Sequence, residues 1–320
     1  MVLICILLSS IAGVAGSVFI QILIDDYITP LLSSSNPVFT GLLQAIALMG
    51  TIYLVGVLST YLYNRLMVVI AQGILKQIRD EMFSHMQELS IKYFDTHTHG
   101  DIMSHYTNDT DTLRQMISQS IPQMFSSIIT IITVFVTMVV MNIYLTILVL
   151  LSVAVILFVT KVITGKSASF FIKQQQSLGT VNGYIEEMIN GQKVVKVFCH
   201  EEKAEEDFDK LNEELCQNAT EANKFANILM PINANLGNLQ YALIAILGGA
   251  LAISGIGGIT LGIIGSFLQL SRNFTQPINQ VSQQLNAVVM ALAGAKRIFT
   301  LMDEEPEQDH GCLLYTSRCV

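Results

Sequence analysis

The sequence predicts an all-α membrane protein with six transmembrane helices and long helical extensions outside the bilayer. Three stretches carry that prediction: Gln115 to Thr160, Phe225 to Ser271, and the N-terminal run to Asn64, which only Asp25 and Asp26 interrupt with charge. The first two hold 46 and 47 residues, and a bilayer-crossing helix takes about 20 apolar residues. Each therefore fits two spans and a tight turn. Turn candidates are Met141, Asn142 and Ile143 in the first, and Gly255, Gly257 and Gly258 in the second. The N-terminal run divides around a polar loop carrying Pro30, Ser33, Ser34, Ser35, Asn36 and Pro37. The expected spans are about 2–24, 42–64, 117–141, 144–164, 228–253 and 259–281.

Composition excludes an ordinary soluble domain. The 320 residues are 52% hydrophobic and 13% charged, with a mean hydropathy of +0.53. A net charge of −8 gives no support to nucleic-acid binding, and the placement of charge says more than its sum. Of the 17 basic residues, five lie from Arg65 to Arg114 and eight from Lys161 to Lys224; the other four lie from Arg272 onward. None falls in the three short connections. Cytoplasmic loops retain Lys and Arg, so the termini and both long loops are expected inside. Cys5, Cys199, Cys216, Cys312 and Cys319 form no CxxC pair and are expected as free thiols. The first apolar run has no basic n-region and leads straight into a second span, so it reads as span one rather than a signal peptide.

The loops from Arg65 to Arg114 and from Lys161 to Lys224 have 50 and 64 residues, too long for structureless connectors. No proline interrupts the chain between Pro37 and Pro122 or between Pro122 and Pro231, so both loops can continue the spans as helices. Arms of about 20 to 25 residues would reach roughly 30 to 38 Å from the membrane. Ile74, Ile78, Met82, Phe83 and Met86 give an apolar stripe at helical spacing, and Glu206 with Lys210 an i,i+4 pair around Phe208.

From Tyr93 to Gln115 the chain reads YFDTHTHGDIMSHYTNDTDTLRQ, which resembles the first intracellular loop of bacterial ABC exporters of the six-span, domain-swapped type. Phe94, Asp95, Gly100, Asp101, Ile102, Ser104, Asn108, Asp109 and Asp111 carry the resemblance. A second match, IEEMINGQKVVKVFCHEEKAEEDF from Ile185 to Phe208, rests on Glu186, Gly191, Val195, Lys196, Phe198, Glu201 and Phe208. A third runs from Gly265 to Met302 and closes on AGAKRIFTLMDEEPE.

The resemblance implies an exporter transmembrane domain over 1–302 with two coupling helices, and a linker start with a non-family tail over 303–320. It implies coupling contacts at Phe94, Gly100, Asp101, Ser104, Asn108 and Asp109, and at Phe198, Glu201, Glu202 and Phe208. It also implies a second half-transporter subunit, nucleotide-binding domains that hold ATP and Mg, surrounding lipid, a transported substrate, and a bacterial cytoplasmic membrane. Read by themselves, Gly100 permits a sharp turn, Asp101 or Ser104 can cap a short helix, and Phe94, Tyr106, Phe198 and Phe208 suit a pocket on another domain or packing within the stalk.

No cofactor is expected in this chain itself. A phosphate-cradling GxxxxGK[ST] loop is missing: Gly165, Lys166 and Ser167 give only GKS, with Thr160 at the first glycine position. The tail EQDHGCLLYTSRCV departs from the family, so a truncated chain is expected, with its ATPase domain absent or separately encoded. His97, His99 and His105 are close in sequence without a matching cysteine or carboxylate pattern, and solvated loop histidines are the expectation over a metal site. Asn108, Asn218 and Asn273 begin N-x-T triplets in places where glycosylation is not expected. Gly258 and Gly262 form a GxxxG suited to close helix packing.

The spans hold no Asp or Glu in their interiors, which counts against an ion-coupled secondary transporter. Arg272 shares a polar stripe with Gln269, Asn273, Gln276 and Gln280. With Asn233, Asn235 and Gln240 on span five, this stripe either lines a translocation cavity or ties helices together. The other open reading is a non-transporting scaffold or channel module.

Overall fold

The computed structural model describes residues 1–33 and 38–307, and six of its helices are long and apolar enough to cross a membrane. In chain order the helices are α1 (Val2–Ile22), α2 (Thr29–Ser33), α3 (Thr40–Glu88), α4 (Ile91–Thr96), α5 (His99–Ser104), α6 (Thr110–Gln115), α7 (Ile121–Met141), α8 (Ile143–Val197), α9 (Glu201–Ile253) and α10 (Leu261–Met302). Wider π-helical turns at Leu23–Ile28, His105–Asp109 and Met116–Ser120 join some of them. The expected N-terminal loop is shorter than its composition implied, because the chain stays helical through Pro30 to Ser33. Its remainder, Ser34 to Pro37, lies outside the described residues, as do Cys312, Cys319 and the expected non-family tail from 308.

The helices divide into two units, Met1–Ile143 with Gly258–Val320, and Tyr144–Gly257. In the first, α1 packs on α3, α7 and α10. Small residues bring α1 and α3 together: a Cβ on Gly56 would lie 2.8 Å from Ala12 Cβ, and Gly16 lies against the Tyr53 hydroxyl. Lipid supplies no hydrogen bonds, so polar groups in the spans find one another. Ser9 meets Thr60 at 2.6 Å, Asn273 donates to Ser17 at 3.0 Å, and Gln123 donates to Gln280 at 2.9 Å. Asp25, in the π-helical end of α1, accepts from the Thr260 hydroxyl and from Gly262 N at 3.1 Å, satisfying donors at the start of α10. Gly262 permits that approach, since a Cβ would sit 2.6 Å from the Asp25 carboxyl carbon.

Beyond its apolar spans this unit has a second core. Leu75, Met82 and Leu89 pack with Leu113, Ala291, Ala295, Ile298 and Leu301, and Tyr93, Phe94 and Tyr106 lean against them. The buried face of α3 therefore runs through Ala71, Leu75, Ile78 and Met82, not through Ile74 and Phe83, which are exposed. The expected stripe was rotated because apolar residues flank both sides of the true one.

The second unit is an antiparallel hairpin. Its helices α8 and α9 have 55 and 53 residues, roughly 80 Å each, against a hydrocarbon core of about 30 Å. Thr160 donates to Asn233 at 3.1 Å, Phe170 stacks on Phe225 at 5.5 Å, Asn218 donates to Ser177 at 2.9 Å, and Tyr184 donates to Ala204 O at 2.9 Å. Cys199 adopts φ 49 in the turn at its tip. At the opposite end Gly255, Gly257 and Gly258 take φ of 68, 74 and 62, a region open to glycine, and Asn142 is extended between α7 and α8. Both turns fall where the sequence placed them.

The α1–α3 contact is testable by volume. Gly56→Leu should lower the thermal unfolding midpoint in detergent, at a cost of about 1 to 3 kcal/mol from overpacking. Gly50→Ala, with nothing within 4 Å of the new Cβ, should leave the midpoint unchanged or raise it.

Candidate functional site

The residues from Tyr93 to Gln115 are helical, as the sequence predicts: α4 closes at Thr96, and from His99 α5, the π-helical turns and α6 run on into α7 as one continuous helix. Thr98 caps α5 by accepting from Asp101 N at 3.1 Å, while its hydroxyl donates to the Asp101 carboxylate at 2.7 Å. The cap is thus Thr98, with Asp101 as its reciprocal partner, and neither Asp101 nor Ser104 occupies the cap position. Gly100 lies inside α5 and not at a sharp turn; a Cβ there would meet only Thr98 Oγ1, at 3.8 Å. Asn108 donates to Ser104 Oγ at 3.2 Å on the exposed side. His97 stacks on Tyr93 at 4.1 Å.

Asp109 anchors this segment. Its carboxylate is 1% exposed and accepts from Arg297 Nε at 3.0 Å, from Arg297 Nη2, and pairs with His105 Nδ1 at 2.8 Å. Burial pushes the Asp109 carboxyl up, but hydrogen bonds and charge from Arg297 and His105 outweigh it and hold its pKa below the ordinary carboxylate value. The same contact raises the Arg297 guanidinium. Small residues on α10 make room: Ala291 and Ala295 are buried, and a Cβ on Gly294 would lie 2.9 Å from Thr112 Oγ1 and 3.4 Å from Asp109 Cα. Two further links tie the stretch just after α10 to α3, from Glu307 N to Glu88 O at 2.7 Å and between His85 Nε2 and Glu304 O at 2.9 Å.

Sequence reasoning singled out Asp109 but missed Arg297, Gly294 and His105 as its partners. The available signal was Ala291, Gly294 and Ala295 on one helical face, with a basic residue one turn beyond. Alongside this anchor, Phe83, Met86, Phe94, Ile102, Met103 and Tyr106, with His99, line a largely apolar cavity of about 430 Å³. Burial raises the Tyr106 phenol, whose hydroxyl points to Met86 Sδ at 3.7 Å.

The second expected coupling segment forms the tip of the α8–α9 hairpin, with no separate short helix between them. Phe198 is exposed in the turn. Glu201 and Glu202 occupy the first turn of α9, where negative charge is favourable. Lys196 bonds Glu201 at 2.9 Å and lowers its pKa. Phe208 faces Tyr184 with centroids 6.5 Å apart, and both line a groove of about 400 Å³ with Ile185, Met188 and Ile189.

The polar stripe on α10 separates into two sets. Asn273 and Gln280 bond Ser17 and Gln123 and hold helices together, whereas Gln269, Arg272 and Gln276 lie on the exposed face. On span five, Asn233 is engaged by Thr160, Asn235 donates to Pro231 O at 2.8 Å, and Gln240 is buried.

A family model described as the ABC transporter transmembrane region matches residues 1–278. The chain belongs to that family. Among curated relatives of this ABC transporter region, the chain is 33% identical over 309 residues to the uncharacterized ABC transporter ATP-binding protein YfiC of Bacillus subtilis, covering 97% of the chain and 50% of the relative. It is also 33% identical over 289 residues to a fatty acid ABC transporter ATP-binding/permease protein of Mycobacterium bovis, covering 88% and 46%. An ATP-dependent lipid A-core flippase of Syntrophus aciditrophicus is 25% identical over 256 residues, covering 80% and 42%. The chain spans about half the length of the curated relatives it matches. Six apolar helices and this family together make it a multi-pass membrane protein.

Removing the guanidinium should expose the worth of the anchor. Arg297 is 57% exposed, so Arg297→Gln should cost toward the low end of about 1 to 3 kcal/mol, chiefly by leaving the Asp109 carboxylate underpaired. Because the folded pKa of Asp109 is lowered, its contribution is present above the unfolded carboxylate range and disappears as pH falls through the folded value. The difference in unfolding midpoint between wild type and variant should hold from about pH 5 to 8 and shrink below about pH 4.

Proposed function

We propose that this chain forms one half of the substrate pathway of an ATP-driven exporter in a bacterial cytoplasmic membrane, paired with a second half-transporter subunit. ATP and Mg are held by nucleotide-binding domains outside residues 1–302, and the segments around Phe94 to Asp109 and Phe198 to Phe208 receive their motion. The supporting observation is the buried Asp109 to Arg297 anchor, which joins the first of those segments to the end of α10. A push at either end reaches the other without being absorbed by a flexible loop. Exposed Met103 and Phe83, which line the 430 Å³ cavity, suit an apolar contact with a second domain.

The Lys and Arg residues of both long loops support a cytoplasmic side for the termini and both coupling segments. Gln269, Arg272 and Gln276 lie on the exposed face of α10, which supports a reading in which they face a water-filled pathway, with Asn273 and Gln280 holding the helix in place. Two relatives named for fatty acid and for lipid A core favour an amphiphilic substrate.

Two measurements test this reading. With the nucleotide-binding domains present in proteoliposomes, Phe94→Ala and Phe208→Ala should each reduce ATP-driven export about tenfold or more while nucleotide affinity stays unchanged; unaltered export would contradict the coupling role. In right-side-out vesicles an impermeant maleimide should label the exposed thiols Cys199 and Cys216 only after permeabilisation, read on their own peptides.

A further inference from the structure

At the end of the spans nearest the coupling segments, α3, α7, α10 and the π-helical turn Met116–Ser120 line a half-open cleft of about 230 Å³, many times what one water needs, with Asn64 and Gln119 on its exposed rim. Its polar lining is Tyr63, Asn64, Ser118, Gln119, Gln123 and Gln284. All six bear hydrogen-bonding groups and none is charged. Three are already oriented by the protein: Asn64 donates to Thr60 O at 2.9 Å, Ser118 to Arg114 O at 2.7 Å, and Gln123 to Gln280 at 2.9 Å. Each of these spends a donor and keeps acceptor capacity: Asn64 and Gln123 their amide carbonyls, Ser118 its oxygen lone pairs. Tyr63, Gln119 and Gln284 make no side-chain hydrogen bond to the described residues, so a phenol and two amides remain with both donors and acceptors unused.

Such a lining is mismatched to an ionic group. A phosphate or carboxylate would find no cation among the lining residues, an ammonium no carboxylate, and desolvating either uncompensated is costly. A group that is itself uncharged and carries donors and acceptors side by side, such as the hydroxyls of a sugar or a secondary amide, can satisfy the lining and be satisfied by it. The cavity also sits where the apolar part of each span ends, at residues 63–64 on α3, 118–123 before and into α7, and 284 on α10, which is the depth of a head group rather than of an acyl chain.

We infer that this cavity is a binding site for an uncharged, hydroxyl- or amide-bearing group, and that it takes the head of a neutral amphiphile at the cytoplasmic membrane interface. The inference rests on the exporter reading for its role, since it names the chemistry of what enters the pathway, but binding itself requires no nucleotide. Gln280, which fixes Gln123, also belongs to the stripe that continues through Gln276 and Gln269, so the site lies at one end of a row of amides along α10.

Nucleotide-free protein in phosphatidylcholine nanodiscs, doped equally with monoglucosyl-diacylglycerol and phosphatidylglycerol, gives the test by native mass spectrometry of retained lipid. The glucosyl lipid should be retained about fivefold or more over the anionic one, and Gln119→Ala with Gln284→Ala should bring the ratio toward one with an unchanged unfolding midpoint, since neither amide has a hydrogen-bond partner among the described residues. Tyr63→Phe, which removes one oxygen, should give a smaller loss in the same direction. Competition by free glucose would show that the head group alone is recognised, and its failure to compete that the lipid-linked form is; both fit the inference. No preference for the glucosyl lipid, or a preference untouched by all three substitutions, would overturn it. Because ATP takes no part, a failure here leaves the coupling measurement standing, and a failure of coupling leaves this one standing.

Discussion

A carboxylate that is 1% exposed has to be paired, and the rest of the first unit is arranged around pairing Asp109. Its partner Arg297 arrives from α10, which can approach only because Ala291, Gly294 and Ala295 keep that helix face low. Leu75, Met82, Leu89, Leu113, Ile298 and Leu301 then close over the contact as an apolar core outside the spans. Hydrophobic burial supplies the driving force for this core, and the ion pair supplies its register, since only one sliding position of α10 places the guanidinium on the carboxylate.

The same logic recurs at the opposite end of α10. Asp25 leaves the apolar run of α1 through a π-helical turn and satisfies donors at the start of α10, with Gly262 clearing the space. One helix is therefore held at both ends by carboxylates from elsewhere in the chain, and between them by Ser17 with Asn273 and Gln123 with Gln280. In a medium where apolar side chains gain little by leaving lipid for protein, such directional contacts and close glycine packing decide which helices associate.

Local features were legible in the sequence. Uncharged windows pointed to six long apolar helices, Asn142 and the three glycines near 255 marked turns, and missing prolines marked α3 and α8 as long helices, because each depends only on neighbours along the chain, whereas α9 and α10 stay helical through Pro231 and Pro277. Contacts between distant residues were not. Nothing near Asp109 announces a partner 188 positions away, and nothing near Asp25 announces Gly262. The stripe on α3 was misplaced because Ile74 and Phe83 are as apolar as Leu75 and differ only in which way the helix is turned. Gly100 looked like a turn by residue type, whereas Thr98 and Asp101 hold it inside a capped helix. Whether each amide on α10 glues or lines could be decided only once its neighbours were known.

The Asp109 to Arg297 contact makes the segment carrying Asp109 and the end of α10 one body. Hydrogen exchange of the protein in nanodiscs, wild type against Arg297→Gln, tests it most directly. Residues 99–115 and 291–302 should lose protection together in the variant while the α1–α3 contact around Gly56 keeps its own. Loss confined to one of the two segments, or none in either, would contradict it.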